Sequence, residues 1–365
     1  MPEETPHAPH YYGGQAVIEG VMMRGRAAWA VAVRRPTGEI YLERHPVGDP
    51  SGRPALLRAP FVRGSFALVD ALRIGTRALT ISANQSVEDA DQLSKRELGS
   101  SLLVALLLFV VVFIVLPNAG LAFASGVLGD GTLYHLTEGL VRIALFLGYL
   151  AAISQLEDIR RVFAYHGAEH QTIAAYEHGE PLEPARIAAY STVHVRCGTN
   201  FLILVMLLAV VVYSVAGAIM PPPEGAGVVA TATYHVLLRI ALLPVIAGIA
   251  YEGLRLGAGR DNLAVRAMMA PGRWLQKVTT KPSSPDMREV AIRAFEAVLP
   301  AEEYAVLPEV ADRSELGSAL QWGPDDTPGD VVYATGPPRQ TTDADTAPDT
   351  AEDAAAPRDE PRGGT

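Results

Sequence analysis

Residues 98–129 carry no charge, and residues 102–116 are apolar without a break. About 20 residues rising ~1.5 Å each cross the hydrocarbon of a bilayer, so this run, ending at Pro117, reads as a transmembrane helix. Three more stretches read the same way: residues 136–156 with Arg142 near one end, 197–220 up to the prolines that begin at Pro221, and 231–251 with Arg239 inside. Arginine can snorkel toward the interface from such positions. The second and fourth stretches also admit a buried-core reading.

The basic residues supply an independent test, because cytoplasmic loops collect Lys and Arg. Residues 1–97 hold 12 of them, 157–196 four and 252–299 eight, whereas 118–135 and 221–230 hold none. Four spans with both termini and the central loop in the cytoplasm satisfy every segment. The expected location is therefore the bacterial cytoplasmic (inner) membrane, with the lipid bilayer as first partner. No basic stretch followed by an apolar run marks a signal peptide in the first 30 residues.

The formal net charge of −10 sits oddly with 49% hydrophobic residues. Position resolves it: from residue 301 onward there are 15 acidic and four basic residues, so the rest of the chain is nearly neutral. An excess of acid argues against a nucleic-acid partner. The single cysteine, Cys197, excludes an intrachain disulfide and fits a reducing compartment.

The expected fold class is thus an α-helical multi-pass membrane protein with four transmembrane helices and a small α+β cytoplasmic domain. Its parts are a cytoplasmic N-terminal region (1–97), a transmembrane hairpin (98–156), a cytoplasmic loop (157–196), a second hairpin (197–251), a basic segment with an amphipathic helix (252–300) and an acidic disordered tail (301–365). A membrane part this small favours a homo-oligomer. A weak internal repeat joins the hairpins: Arg142-Ile-Ala-Leu recurs as Arg239-Ile-Ala-Leu, each after a Tyr-His pair and before a glutamate, Glu157 or Glu252. Parallel pseudo-repeats and coincidence in apolar sequence explain it about equally. Glu157 and Asp158 read as solvated partners of Arg160 and Arg161.

In the N-terminal region, residues 28–43 give two alternating runs around Arg35-Pro-Thr-Gly38, a β-hairpin with Gly38 free to take a positive φ. Upstream, residues 12–25 set four glycines around an apolar core, which suits tight turns or close backbone approach. Residues 66–81 have helical spacing and read as a helix on the membrane surface or on the hairpin. After the fourth stretch, Trp274 stands beside Arg273 and Lys277 in a basic segment suited to the cytoplasmic interface. Residues 285–299 predict an amphipathic helix with Met287, Val290, Ala291, Ala294, Phe295 and Val298 on one face.

Chemistry concentrates in the central loop. On a helix ending near Gly179, His166 and His170 stand one turn apart on one face, and Glu177 follows about two turns later. The spacing is H-x-x-E-H, in which Glu169 can act as general base beside two metal-binding imidazoles. His194 and Cys197 could complete a three-His, one-Cys set; alternatively the two histidines and Glu177 leave a position open, as catalytic zinc requires. Cys197 alone is most simply a small buried residue, and a lone His pair is usually hydrogen-bonded or solvated. Clustering raises the case for a divalent metal, zinc by its ligand types: four His, one Cys and several carboxylates lie within 32 residues.

Together these segments resemble the YqhQ-like bacterial membrane family, described as predicted metal-dependent enzymes, over residues 10–300. The resemblance rests on residues 13–25, on Tyr165 to His170 with Thr172, Tyr176 and Glu177, on His194 to Gly198, and on Trp274 to Gln276 with Thr279 and Thr280. Gln171 and Val195 stand where family members often have Lys and Pro. The resemblance implies a metal site at His166, Glu169 and His170 and supplies no substrate.

The leading expectation is a metal-dependent hydrolase acting on a membrane-linked substrate, with Glu169 catalytic and His166, His170, Glu177, His194 and Cys197 as candidate ligands. Glu19 and Arg24 could line the same pocket or make structural contacts in a turn. The alternatives are a non-enzymatic scaffold or assembly factor with a structural metal site, and a small transporter using Arg142 and Arg239.

Overall fold

The glycine-rich segment and the predicted hairpin fold into a single antiparallel sheet. Its strands are β1 (Gly13–Val17), β2 (Gly20–Arg24), β3 (Ala28–Arg34), β4 (Ile40–Pro46) and β5 (Val331–Ala334), hydrogen-bonded in that order. The computed structural model describes residues 12–48, 54–87, 95–117, 132–194, 197–221, 223, 227–257, 262–300, 303, 307 and 331–334. Gly38 takes the expected positive φ of 91° in the β3–β4 turn. The β1–β2 turn, by contrast, puts Glu19 rather than glycine at positive φ, 51°. Residues 301–365 read as a disordered tail, yet β5 pairs with β4 from Ile40↔Ala334 to Glu43↔Val331. Val331-Val-Tyr is a strand-forming run, and it satisfies an edge that β4 would otherwise expose.

The helices, in chain order, are α1 (Ala55–Arg58), α2 (Val62–Gln85), α3 (Lys95–Val110, continued by a π-helical turn Val111–Val115), α4 (Thr132–Ile153), α5 (Glu157–Glu177), α6 (Pro184–Ile187), α7 (Gly198–Ile219), α8 (Val228–Gly257), α9 (Leu263–Thr279) and α10 (Pro285–Glu296). Every residue of β3 is buried, because helices cover both sides of the sheet. Ala30 and Ala32 join Val21, Met23, Ile40 and Leu42 against α5 and α10. Trp29, Val31 and Val33 join Val17 and Met22 against Ala78 of α2. As the spacing predicts, α10 has Pro285 at its first position and buries Met287, Val290, Ala291, Ala294 and Phe295; its cap is Ser284.

Among the described residues, three helices are long and apolar enough to cross a membrane: residues 136–153 in α4, 198–217 in α7 and 233–256 in α8, with mean hydropathy 1.6, 2.4 and 1.7. At most 22% of each window is buried, so their apolar side chains point outward and they are not a water-soluble core. The apolar stretch in α3, residues 99–113, is shorter; residues 118–131, in the loop that follows the expected first span, lie outside the described residues. The two arginines of the internal repeat meet in space: Arg142 (2.6 Å) and Arg239 (2.5 Å) reach the same oxygen of buried Glu138. Arg239 also lies over the Tyr213 ring, 5.7 Å from its centroid.

Glycines set the remaining helix contacts. A Cβ on Gly64 would fall 2.6 Å from Tyr251, and one on Gly248 would fall 2.3 Å from the Phe61 carbonyl, so α2 crosses α8 with backbones nearly touching. Arg63 and Glu252 form an ion pair at this crossing, and Ser65 Oγ donates to the Pro244 carbonyl at 2.8 Å.

Candidate metal centre

α5 carries the two histidines, and its end is fixed as the sequence predicts. Gly179 takes φ 68°, Glu180 N donates to Ala175 O and Gly179 N to Tyr176 O at 3.0 Å each, which is the Schellman pattern. One turn apart, His166 and His170 have ring centroids 4.3 Å from each other. Cys197 comes from the other direction as the N-cap of α7, its Sγ accepting from Thr199 N at 3.4 Å and Thr199 Oγ1 at 3.2 Å. His166 Nε2 is 3.2 Å from that sulfur. One ligand atom from each of His166, His170 and Cys197 lies within 4.8 Å of the other two.

Their outer nitrogens settle the tautomers. His166 Nδ1 contacts the Thr279 carbonyl at 2.8 Å, and His170 Nδ1 contacts the Thr192 carbonyl at 2.5 Å. A carbonyl only accepts, so both Nδ1 atoms carry protons, which leaves each Nε2 on the side of the thiol as the ligating atom. This is the orientation that outer partners impose on metal-binding imidazoles. His170 is 1% exposed, and its Nε2 has no hydrogen-bond partner of good geometry among the described residues. A tetrahedral zinc site holds such ligands roughly 3.3–3.6 Å apart; here His166 Nε2 and the sulfur are at 3.2 Å and all three ligand atoms lie within 4.8 Å of one another. The residues fit a thiophilic divalent metal.

Electrostatics point the same way. Burial lowers the pKa of His170 and so keeps the ring neutral. Burial pushes the Cys197 thiol up, but His170 and the Thr199 bonds outweigh it and hold the thiol below its ordinary value. Glu169 is pushed up to about 8, chiefly by complete burial, against a lowering by His166 and with a further rise from Cys197. Its carboxyl accepts the Gly14 N–H, and its Oε2 has no hydrogen-bond partner among the described residues. A Cβ on Gly14 would lie 3.0 Å from Glu169 Cδ and 2.4 Å from the Met22 carbonyl. The glycine motif therefore serves close approach, and it lays β1 over the glutamate of the site.

The other candidates stand beside the cluster. His194 Nε2 faces Glu177 Oε2 at 3.4 Å, and its ring centroid lies 5.7 Å from that of His170. The Gln276 amide clamps the His194 backbone, accepting from its N at 2.8 Å and donating to its O at 2.9 Å. Neither the three-His, one-Cys set nor the set of two histidines with Glu177 is brought together as such: the pair Glu177–His194 flanks the triad His166–His170–Cys197. Glu19 makes structural contacts. It binds Arg161 through two bonds of 2.6 Å and accepts from Tyr165 Oη at 3.3 Å, so Arg161 is no simple partner of Glu157 or Asp158. Gln276 and the Thr192 and Thr279 carbonyls have no signature in the loop itself, although Gln276 and Thr279 fall in a motif that carries the family resemblance.

Residues 59–301 match the family model described as "Protein of unknown function (DUF1385)". The chain belongs to the DUF1385 family. It is also 31% identical over 309 residues to the uncharacterized protein YqhQ of Bacillus subtilis (strain 168), a match covering 80% of this chain and 94% of that protein. No solved structure matches it. The triad and its flanking pair fall inside the region matched to DUF1385, whereas the Gly14 cover precedes it.

One small residue keeps this geometry in place. A Cβ on Gly167 would fall 2.2 Å from the Lys281 carbonyl, and Lys281 N donates to Phe163 O at 2.9 Å. Gly167→Ala is expected to push residues 279–281 off α5 at a cost of about 1–3 kcal/mol. Thermal unfolding in detergent measures this; an unchanged midpoint would show that the segment yields freely.

Proposed function

We propose that this DUF1385 chain is a four-span protein of the bacterial cytoplasmic membrane, with α3 as the fourth span and both termini in the cytoplasm. In this reading it is a zinc-dependent hydrolase acting on a membrane-linked substrate. The observation that carries the reading is the convergence of two Nε2 atoms and one thiol, each imidazole being oriented by a backbone carbonyl. Three protein ligands suit a catalytic site, which keeps a fourth position open. A bound divalent cation supplies a Lewis acid and brings the pKa of its water to about 7.

The chain's own groups would do the rest. His166, His170 and Cys197 hold the cation, and the thiol is already biased toward its ligating form. Glu169 can hold or release a proton near neutral pH, as general acid–base work requires. Gly14 N–H and the lid of β1 fix its carboxyl and keep water from it. His194, paired with Glu177, is placed to steady the far side of His170 or to offer a further ligand. The support for a membrane-linked substrate is position: Cys197 caps α7, whose apolar stretch begins at the next residue.

Metal content tests this directly. Protein purified from zinc-supplemented cells is expected to hold about one metal ion per chain, and His166→Ala with His170→Ala is expected to lose it. No metal in the wild type, or equal metal in the double variant, would sink the proposal. A structural centre in a scaffold is the competing reading. Glu169→Gln that retains both metal and cellular function would favour it.

A further inference from the structure

α9 shows three distinct faces when its residues are set at ~100° per position. Gly272, Leu275, Gln276 and Thr279 are buried against the protein. Leu263 and Trp274, 83% and 57% exposed, share a second face, with exposed Ala267 between them along the helix. Arg266, Arg273 and Lys277 form a third face that separates the other two on one side. A helix that only packs on a protein in water needs one apolar face; a second one flanked by cations belongs to a helix lying in a bilayer interface.

Its height in the fold agrees. A Cβ on Gly272 would fall 2.0 Å from Asn200 Oδ1, and Asn200 lies in the first turn of α7, where the apolar stretch from residue 198 begins. α9 therefore packs where the spanning segment leaves the hydrocarbon. α2 repeats the plan. Gly64, Gly75, Ala78 and Ser82 are its protein face, Val69 and Leu72 are exposed, and Arg73 lies about 40–100° further round, while Arg77 reaches back over the Trp29 ring at 5.6 Å. It crosses α8 at Gly248, one turn inside Glu252.

We propose that α9, with α2 as a second contact, binds the anionic phospholipid headgroups of the leaflet that adjoins the His–Cys cluster. Leu263 and Trp274 enter the acyl region, the small Ala267 between them letting the helix lie close to it, while Arg273 and Lys277 meet the phosphates. The same helix accepts the His166 Nδ1 proton at Thr279 O and clamps His194 through Gln276, so the candidate centre hangs directly from the lipid-bound element. The proposal rests on the membrane reading above but requires no metal.

The test uses the full chain in nanodiscs of mixed phosphatidylglycerol and phosphatidylcholine, with brominated acyl chains on one lipid or the other at equal bromine content. The Trp274 signal is the difference between wild type and Trp274→Phe. Each cation near an anionic surface is worth roughly a fivefold preference. Quenching is therefore expected to be severalfold stronger when the bromines are on phosphatidylglycerol, and Arg273→Gln with Lys277→Gln is expected to equalise the two. Neither side chain belongs to the buried face of α9, so folding is not at stake. An unquenched Trp274, equal quenching by both lipids, or a preference that survives the double substitution would overturn the proposal. Metal content is measured separately, and neither result determines the other.

Discussion

Glu138→Ala is expected to remove about 3–5 kcal/mol from the folded protein. The carboxylate is shared by Arg142 and Arg239, from two different apolar helices, and is only 3% exposed. Its loss leaves two guanidiniums close together with no common anion, in surroundings where charge is expensive. The physics makes a second, sharper expectation. A triple change of Glu138, Arg142 and Arg239 to leucine removes the charges along with the pairing, and should recover most of the stability. Thermal aggregation of the purified variants in mild detergent measures both. If the triple variant is no better than Glu138→Ala, the network contributes more than mutual neutralisation, and the transporter reading of the arginines would gain weight.

Phe295→Ala should be comparably damaging, at about 3–5 kcal/mol, because it removes a large side chain from a fully enclosed position. Phe295 is 0% exposed and packs its ring against Tyr12 (5.0 Å between centroids) and Tyr176 (4.8 Å). Both tyrosines donate to the same Glu303 oxygen at 2.6 Å. The cavity would open between α10, α5 and the sheet, so β1 should lose its grip over Glu169. Limited proteolysis near residue 12 should accelerate, whereas Phe295→Leu, which keeps most of the volume, should resist. Equal protease resistance of the wild type and the alanine variant would show that the sheet does not depend on this contact.

Local chemistry explains which features were legible in the sequence. The β3–β4 hairpin, the end of α5 and the start of α10 each depend on residues a few positions apart: Gly38 for a positive φ, Gly179 for a Schellman end, Pro285 for the first turn of a helix. Apolar length made α4, α7 and α8 readable. The β1–β2 hairpin was hidden because its turn uses Ile18 and Glu19, neither of which is a turn residue by preference. β5 was hidden because four suitable residues in an acidic, Pro-rich stretch promise little burial. In the candidate site, the helical period brought His166 and His170 together, and the approach of Cys197 was at least allowed by its place before an apolar run. That His194 turns to Glu177 was not legible, since spacing along the chain does not determine where a ring points once Gln276 grips its backbone from 82 residues away.

The Glu19–Arg161 pair closes a separation of 142 residues, Arg34–Glu289 one of 255 and Tyr12–Glu303 one of 291. Synthesis proceeds at about 5–20 residues per second, so Tyr12 leaves the ribosome roughly 15–60 s before its carboxylate partner exists. During that interval α4, α7 and α8 are made, and the strand that covers Glu169 has neither α5 nor α10 to rest on until they emerge. The sheet therefore cannot be covered on its α5–α10 side until α10 has been made, after all three apolar helices.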